Sequence, residues 1–308
     1  MKSGAVRGHF KAVLAGILCL AGGAFLWAGN GVDDGSSSAA GQGALHRTWL
    51  GPDGQKLPFE TDEQVLDFLR TAEVVSMKRI GSGVTGAQKV ALAKDGIRMN
   101  ACFRTVRQEG DKVLMEDGSF RYNFRDDARF EVAAYHLSRL LGLNNVPPAV
   151  ERRIGDEDGS LQIWVEGVMT EKERLEKGIR PQRGLYLFQQ MQNMRAFDSL
   201  IYNDDRNRGN ILLSAQGQVW LIDHTRSFRR WRQLREPEKV TSLQRSFFER
   251  LTELDPRQIE SRLSPYVKPQ ELRGLLKRRQ ILVQHIEQMI QQYGQDRVLF
   301  DLTGGGSS

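Results

Sequence analysis

The chain has 308 residues, 40% hydrophobic and 27% charged, with Lys+Arg 44 against Asp+Glu 38 and a net charge of +6. This excludes a disordered chain and a multi-spanning membrane protein, and the length suits one large domain or two lobes around a cleft. The positive balance fits an anionic partner such as nucleotide or acidic lipid. Scattered basic residues, and only one short run at Arg226, Arg229, Arg230, Arg232 and Arg235, argue against nucleic acid.

In chain order, Lys2, Arg7 and Lys11 precede an uncharged apolar run over residues 12–29. That layout predicts a signal peptide or a signal anchor, and the run approaches the length that crosses a bilayer. Gly22, Gly23, Ala24 and Ala28 near its end would suit cleavage. Positive charge before the run and Asp33-Asp34 after it predict a folded domain outside the cytoplasm, periplasmic in a bacterium. Residues 30–48, rich in Gly, Ser and Ala, read as a flexible linker, and residues 302–308 as a disordered tail. With Cys19 in the apolar run and Cys102 alone in the folded part, a disulfide framework or thiolate metal site is excluded there.

The folded part, 49–301, changes style along its length. Strand-like runs at 74–80, 89–93, 99–106 and 161–168 surround one helix over 128–141, which ends at Gly142 as helices often do. A helical half follows: a helix over 185–201, two short strands at 211–213 and 219–222, then helices within 241–254 and over 269–293. The expected fold class is α+β and two-lobed, with a strand-rich N-lobe over about 49–169 and a helical C-lobe over about 170–301. The charged insertion at 170–183 reads as a solvated face.

Chemistry concentrates in Asn203-Asp204-Asp205-Arg206-Asn207-Arg208-Gly209-Asn210, followed by a hairpin that ends at Asp223-His224. An Asp, an Asn five residues later and a second Asp at the next strand end form a phosphoryl-transfer layout. Asp205 would orient the acceptor hydroxyl or take its proton, while Asn210 and Asp223 would hold Mg2+ on ATP. Asp and Asn also crowd tight turns, so the strand end and preceding helix carry much of this reading.

These residues resemble the atypical kinase branch, comprising phosphatidylinositol 3- and 4-kinases, HipA-type toxin kinases and secretory-pathway kinases. That branch carries an Asp-Arg-His-x-x-Asn loop and an Ile-Asp or Leu-Asp strand end. The chain departs from it at Asn207, where His is frequent, and at His224-Thr225, where Phe-Gly is common. The resemblance implies a protein-kinase-like fold and a Mg-ATP-dependent phosphotransferase acting on a hydroxyl of protein, lipid or sugar.

Upstream, Gly81-Ser82-Gly83-Val84-Thr85-Gly86 fits a glycine loop between two strands, where missing Cβ atoms let backbone approach phosphates. A plain hairpin turn fits the same residues. Arg104 fills the third-strand cation position where lysine is commoner, and Lys89 is an alternative cation on the neighbouring strand. Glu131 is the expected helix carboxylate, with a solvated first-turn acid as the other reading. Residues 166–168 would lie near the adenine edge. His136 and Trp220 are expected in the core, Cys102 as a small buried side chain, and His224 capping or lining the metal site. Two further functions share these residues: a membrane-tethered pseudokinase or nucleotide-binding module, favoured by Arg104, and transfer of AMP instead of phosphate.

Overall fold

The computed structural model describes residues 48–80, 86–115 and 118–303. The expected membrane or signal segment, the linker, Gly81 and Gly83 lie outside the described residues. Among those described, no helix is long and apolar enough to cross a membrane.

The strand-rich half opens with helix α1 (Asp62–Thr71), capped reciprocally by Thr61 and Gln64 and burying Val65, Leu66, Phe68 and Leu69. Strands β1 (Glu73–Arg79), β2 (Gln88–Lys94) and β3 (Ile97–Arg104) follow, and then the hairpin β4 (Arg107–Leu114) and β5 (Phe120–Asp127). Helix α2 (Arg129–Leu140) comes next, with Val132, Tyr135 and Leu137 buried as expected. Strands β6 (Ala149–Ile154) and β7 (Glu157–Ile163) complete a five-stranded sheet of order β1-β2-β3-β7-β6.

In β3 the odd residues Met99, Ala101 and Phe103 are buried in the core. Strand alternation sends Asn100, Cys102 and Arg104 to the opposite face. Gly159 lets β7 lie close to β3, since a Cβ there would come within 2.3 Å of the Arg104 carbonyl.

The run expected as one strand over 161–168 is divided. It leaves the large sheet at Ile163, turns at Gly167 (φ 69°), and resumes as β8 (Val168–Thr170). Strand β8 pairs instead with β9 (Ile211–Ser214), which is hairpinned to β10 (Val219–Leu221). Between β8 and β9 lie α3 (Glu171–Glu176) and α4 (Gly184–Ile201); beyond β10 come α5 (Arg245–Glu253), α6 (Pro256–Leu263) and α7 (Pro269–Tyr293). The architecture is α+β: a strand-rich lobe followed by a helical one.

Helix α7 anchors the second lobe to the loops of the site. Its Arg278, fully buried, donates from Nε to the Leu200 carbonyl at 2.6 Å and from Nη1 to the carbonyls of Arg229 and Trp231. One side chain thereby ties the end of α4 to the segment that follows Asp223. Three carbonyls share the buried guanidinium, whose Nη2 is left without a hydrogen-bond partner.

Candidate active site

Helix α4 ends because Tyr202 takes a left-handed conformation (φ 54°), and a closely bonded loop follows. Asn203 accepts from the Asp205 amide at 3.1 Å, and Asn207 accepts from Gly209 at 2.8 Å. Turn chemistry therefore belongs to Asn203 and Asn207, which frees Asp205 for another role. Asn210 donates its Nδ2 to the Asp205 carbonyl at 3.1 Å, leaving its Oδ1 as the oxygen available to a cation.

Arg206 organises the loop. It is bidentate to Asp198 of α4 (2.9 and 3.1 Å), and its Nη1 also donates to the carbonyls of Asn210 (2.8 Å) and Ile222 (2.6 Å). Those carbonyls sit at Asn210 itself and immediately before Asp223. The planar guanidinium thus fixes the two strand ends relative to each other, which a point-like ammonium could not do. Asp223 is left-handed (φ 60°), a conformation Asp accepts more readily than most residues, and it takes a bond from Thr225 Oγ1 at 3.3 Å.

Across the cleft, Arg104 lies with Nη1 3.6 Å from Glu131 and Nε 3.8 Å from Asp223. Glu131 is fully buried, so it is not a solvated first-turn acid. Its carboxylate accepts from the His224 backbone amide (2.9 Å) and lies 3.1 Å from His224 Nδ1. Burial works against the Glu131 charge, but Arg104 and then His224 outweigh it and hold the carboxyl down to about 2. Burial likewise opposes the charge of Arg104, and Cys102, Asp223, Glu131 and Asp126 more than offset it, raising its pKa above the ordinary arginine value. The Arg104 Nε is buried without a hydrogen-bond partner. It is a donor facing the carboxylates with capacity left for an anion.

Asp205 faces Arg226 at 3.5 Å. Its pKa is raised, first by burial; Arg226 opposes the rise, while Asp223, Asp204 and Asp126 add to it. Asp223 is thus among the acids that oppose ionisation of Asp205. Three participants were not anticipated. Asp126, at the end of β5, is buried, takes Arg226 Nε at 2.9 Å and keeps Oδ1 without a partner. Asp198 and Arg206 form the clamp. A signal for Arg206 was present, as it follows Asp205 directly in the motif; nothing local marked Asp126.

Of the nucleotide-loop glycines only Gly86 is described, at φ 62°, and β1 and β2 around the loop pair antiparallel. Lys89 stands opposite Cys102 on the cleft face, 4.4 Å from the Trp164 ring centroid and 3.7 Å from Glu166. Glu166 accepts from Asn100 at 2.6 Å, and Lys89, Ala91, Asn100 and Trp164 line a cavity of about 440 Å³. A larger cavity of about 670 Å³ lies between the β4–β5 hairpin and the start of α7, with Phe124 in its wall, the ring over which Arg226 and Arg229 stack. His136 is packed on Tyr266 at 5.5 Å, Trp220 on Trp49 at 5.0 Å, and Cys102 is buried.

The Arg226–Arg235 run is not an open basic surface. Arg229 is buried against Asp204 at 2.8 Å, Arg226 serves Asp126 and Asp205, and Arg235 donates to the Asn203 carbonyl. Among the described residues no cluster of three or more His, Cys, Asp or Glu could hold a metal. Cation binding here would rest on a mixed carboxylate and amide set, and Asp223 with Asn210 Oδ1 fits a hard cation.

The same architecture occurs in a solved hydra Fam20 structure with sugar, which has a TM-score of 0.59 at 18% identity over 78% of this chain and 92% of that one. The fold is that of the Fam20 kinases. A Golgi casein kinase matches with TM-score 0.56 at 16% identity over 77% of each chain. The same kinase with Mn/ADP bound gives 0.55 at 16% identity, over 77% of this chain and 78% of that one. The family model for the Golgi casein kinase C-terminal domain, Fam20, matches residues 56–161. No curated protein matches.

Proposed function

We propose that the protein is an ATP-dependent phosphotransferase using Mg2+ or Mn2+. The observation that carries this is the convergence of Arg104, Glu131 and Asp223 from three separate elements beside the Asp205–Asn210 loop. Nucleotide and metal use is also supported by the Golgi casein kinase carrying Mn/ADP on the same fold.

In this reading Asn210 and Asp223 hold the divalent cation, which when bound neutralises charge on the triphosphate. Arg104 supplies N–H donors to phosphate oxygens, and Glu131, pinned by His224, keeps the guanidinium in place. The glycines of 81–86 would let the backbone close over the phosphates. Asp205 takes the proton of the acceptor hydroxyl as that oxygen bonds to the γ-phosphorus, whose bond to the bridging oxygen breaks to release ADP. Arg226 opposes the rise in the Asp205 pKa that burial causes.

The acceptor is a hydroxyl of a protein, lipid or sugar. We further propose that the domain works outside the cytoplasm on an N-terminal signal or anchor, in line with the charge pattern around 12–29 and the Golgi source of the neighbours. Thermal shift of the full chain with Mg-ATP and Mn-ATP, followed by labelled-phosphate transfer to an envelope or secretory extract, tests the proposal. Asp223→Ala should lose the nucleotide-dependent shift, whereas Asp205→Ala should keep the shift and lose transfer. An unchanged shift in Asp223→Ala refutes the metal assignment.

A further inference from the structure

The insertion between β8 and α4 carries a surface that phosphoryl transfer does not use. Leu175 (42% exposed), Ile179 (41%), Leu185 (59%) and Phe188 (51%) are four of the large hydrophobic side chains left open on the described surface. Every residue from 175 to 185 is exposed. The start of the stretch is held in a fixed shape. Arg174 is bound to Glu171 and donates to the Ile179 carbonyl, and the Ile179 amide returns to Arg174 at 3.0 Å. Ile179 and Leu185 are joined by few enough residues to stay within roughly 20 Å of each other.

Cations interleave these apolar groups. Lys172, Lys177, Arg180 and Arg183 are exposed, against Glu173 and Glu176. Glu173 is engaged as the cap of Thr170, and Glu176 lies 3.9 Å from Lys172. Arg180 and Arg183 form no ion pair among the described residues; Arg183 lies over the Tyr186 ring at 4.6 Å and donates to the Thr303 carbonyl at 3.4 Å. The charges expected to be a plain solvated face therefore flank exposed aliphatic and aromatic side chains, and Glu171 with Arg174 is buried beneath them.

We infer that this face docks on a bilayer surface bearing anionic lipid headgroups. Apolar side chains that reach past the headgroups, ringed by cations, are what interfacial binding needs, because apolar burial and attraction to acidic lipid add together. A partner helix would need a groove, and the cavities of about 670, 500 and 440 Å³ all have other linings. The linker expected at 30–48 spans roughly 25 Å as a coil. A membrane segment before it would keep the domain within reach of lipid.

The test uses the full chain with Cys19→Ser, carrying an environment-sensitive fluorophore at Leu185→Cys and, as a control, at Gln258→Cys on α6. It is reconstituted in phosphatidylcholine vesicles with or without phosphatidylglycerol. The expected result is a blue shift at position 185 only when phosphatidylglycerol is present, reversed by high salt and abolished by Lys177→Glu with Arg180→Glu. That double variant keeps its Mg-ATP thermal shift, so failure of docking and failure of the phosphotransferase reading are separate results. Equal emission in both vesicle types overturns the inference. So does a shift in lipid-free protein that grows with protein concentration, which would assign the face to a second copy of the chain.

Discussion

Replacing Arg206 with alanine removes four hydrogen bonds at once: two to Asp198 and one each to the carbonyls of Asn210 and Ile222. Asp198 is 7% exposed and would keep only Asn203 Nδ2 at 3.1 Å, so a carboxylate is left in a dry site with half its partners. Breaking a buried pair from one side costs about 3–5 kcal/mol. For a domain of this size that lowers Tm by roughly 6–20 °C. Arg206→Lys should recover little, because one ammonium cannot serve Asp198 and two divergent carbonyls together. Urea unfolding followed by tryptophan fluorescence measures the loss, with an unchanged m-value certifying that stability and not denatured-state compactness has moved. The companion variant Asp198→Leu with Arg206→Met removes both charges and should be more stable than Arg206→Ala alone. A change in Tm below about 2 °C for Arg206→Ala would show that the clamp is not what fixes the two strand ends.

Further outcomes follow from the same geometry. Glu131 has a folded pKa of about 2, below its ordinary value of 4.5, so its stabilisation is complete above about pH 4.5 and is lost as pH falls toward 2. Glu131→Gln should be less stable at neutral pH and should lose less on acidification across that window, read from the denaturation midpoint. Arg226→Gln removes the cation that lowers the Asp205 pKa, so the acid limb of the transfer rate should move to higher pH; an unmoved limb refutes Asp205 as the base. Gly159→Ala would drive a Cβ into the Arg104 carbonyl and the Phe103 ring; it should cost about 1–3 kcal/mol and weaken nucleotide binding by displacing β3. Arg104→Lys should weaken the Mg-ATP thermal shift without unfolding the chain; an equal or larger shift would contradict the arginine's role with phosphate.

What could be read from the sequence was local, and what could not be read was tertiary. Helix α7 appears over the expected 269–293, because Pro269 starts it and Gly294 ends it. The order Asp205, Asn210, hairpin, Asp223 was likewise visible, since the apolar strands and the polar loop alternate over a short stretch. The β4–β5 hairpin was missed because β4 is mostly exposed and polar while the buried end of β5 is charged (Arg125, Asp126, Asp127), giving no apolar alternation to read. The division at Ile163 escaped for another reason. Apolar Leu161, Ile163, Val165 and Val168 run across the break at Glu166-Gly167, and only the pairing with β9 shows that the last part belongs to another sheet. Asp126 meets Arg226 a hundred residues further along the chain, beyond any spacing rule; Asp198 sits only eight residues before Arg206, but across the end of α4, where helix periodicity stops.

Two of the departures from the kinase pattern, Arg104 for lysine and His224 after the second Asp, are parts of one arrangement. His224 presents its backbone amide and its Nδ1 to Glu131, so the buried carboxylate has close partners without a contacting cation. Arg104 can then stand off at 3.6 Å from Glu131 and 3.8 Å from Asp223, with Nε unbonded. A lysine in that position would have to choose one carboxylate as its close partner, because its charge is a single point. A guanidinium spreads its donors over a plane and can face both acids and an incoming phosphate together. Arginine suits the position because histidine already satisfies the glutamate, and in the proposed phosphotransferase the same guanidinium would be the phosphate-binding cation in a differently built form.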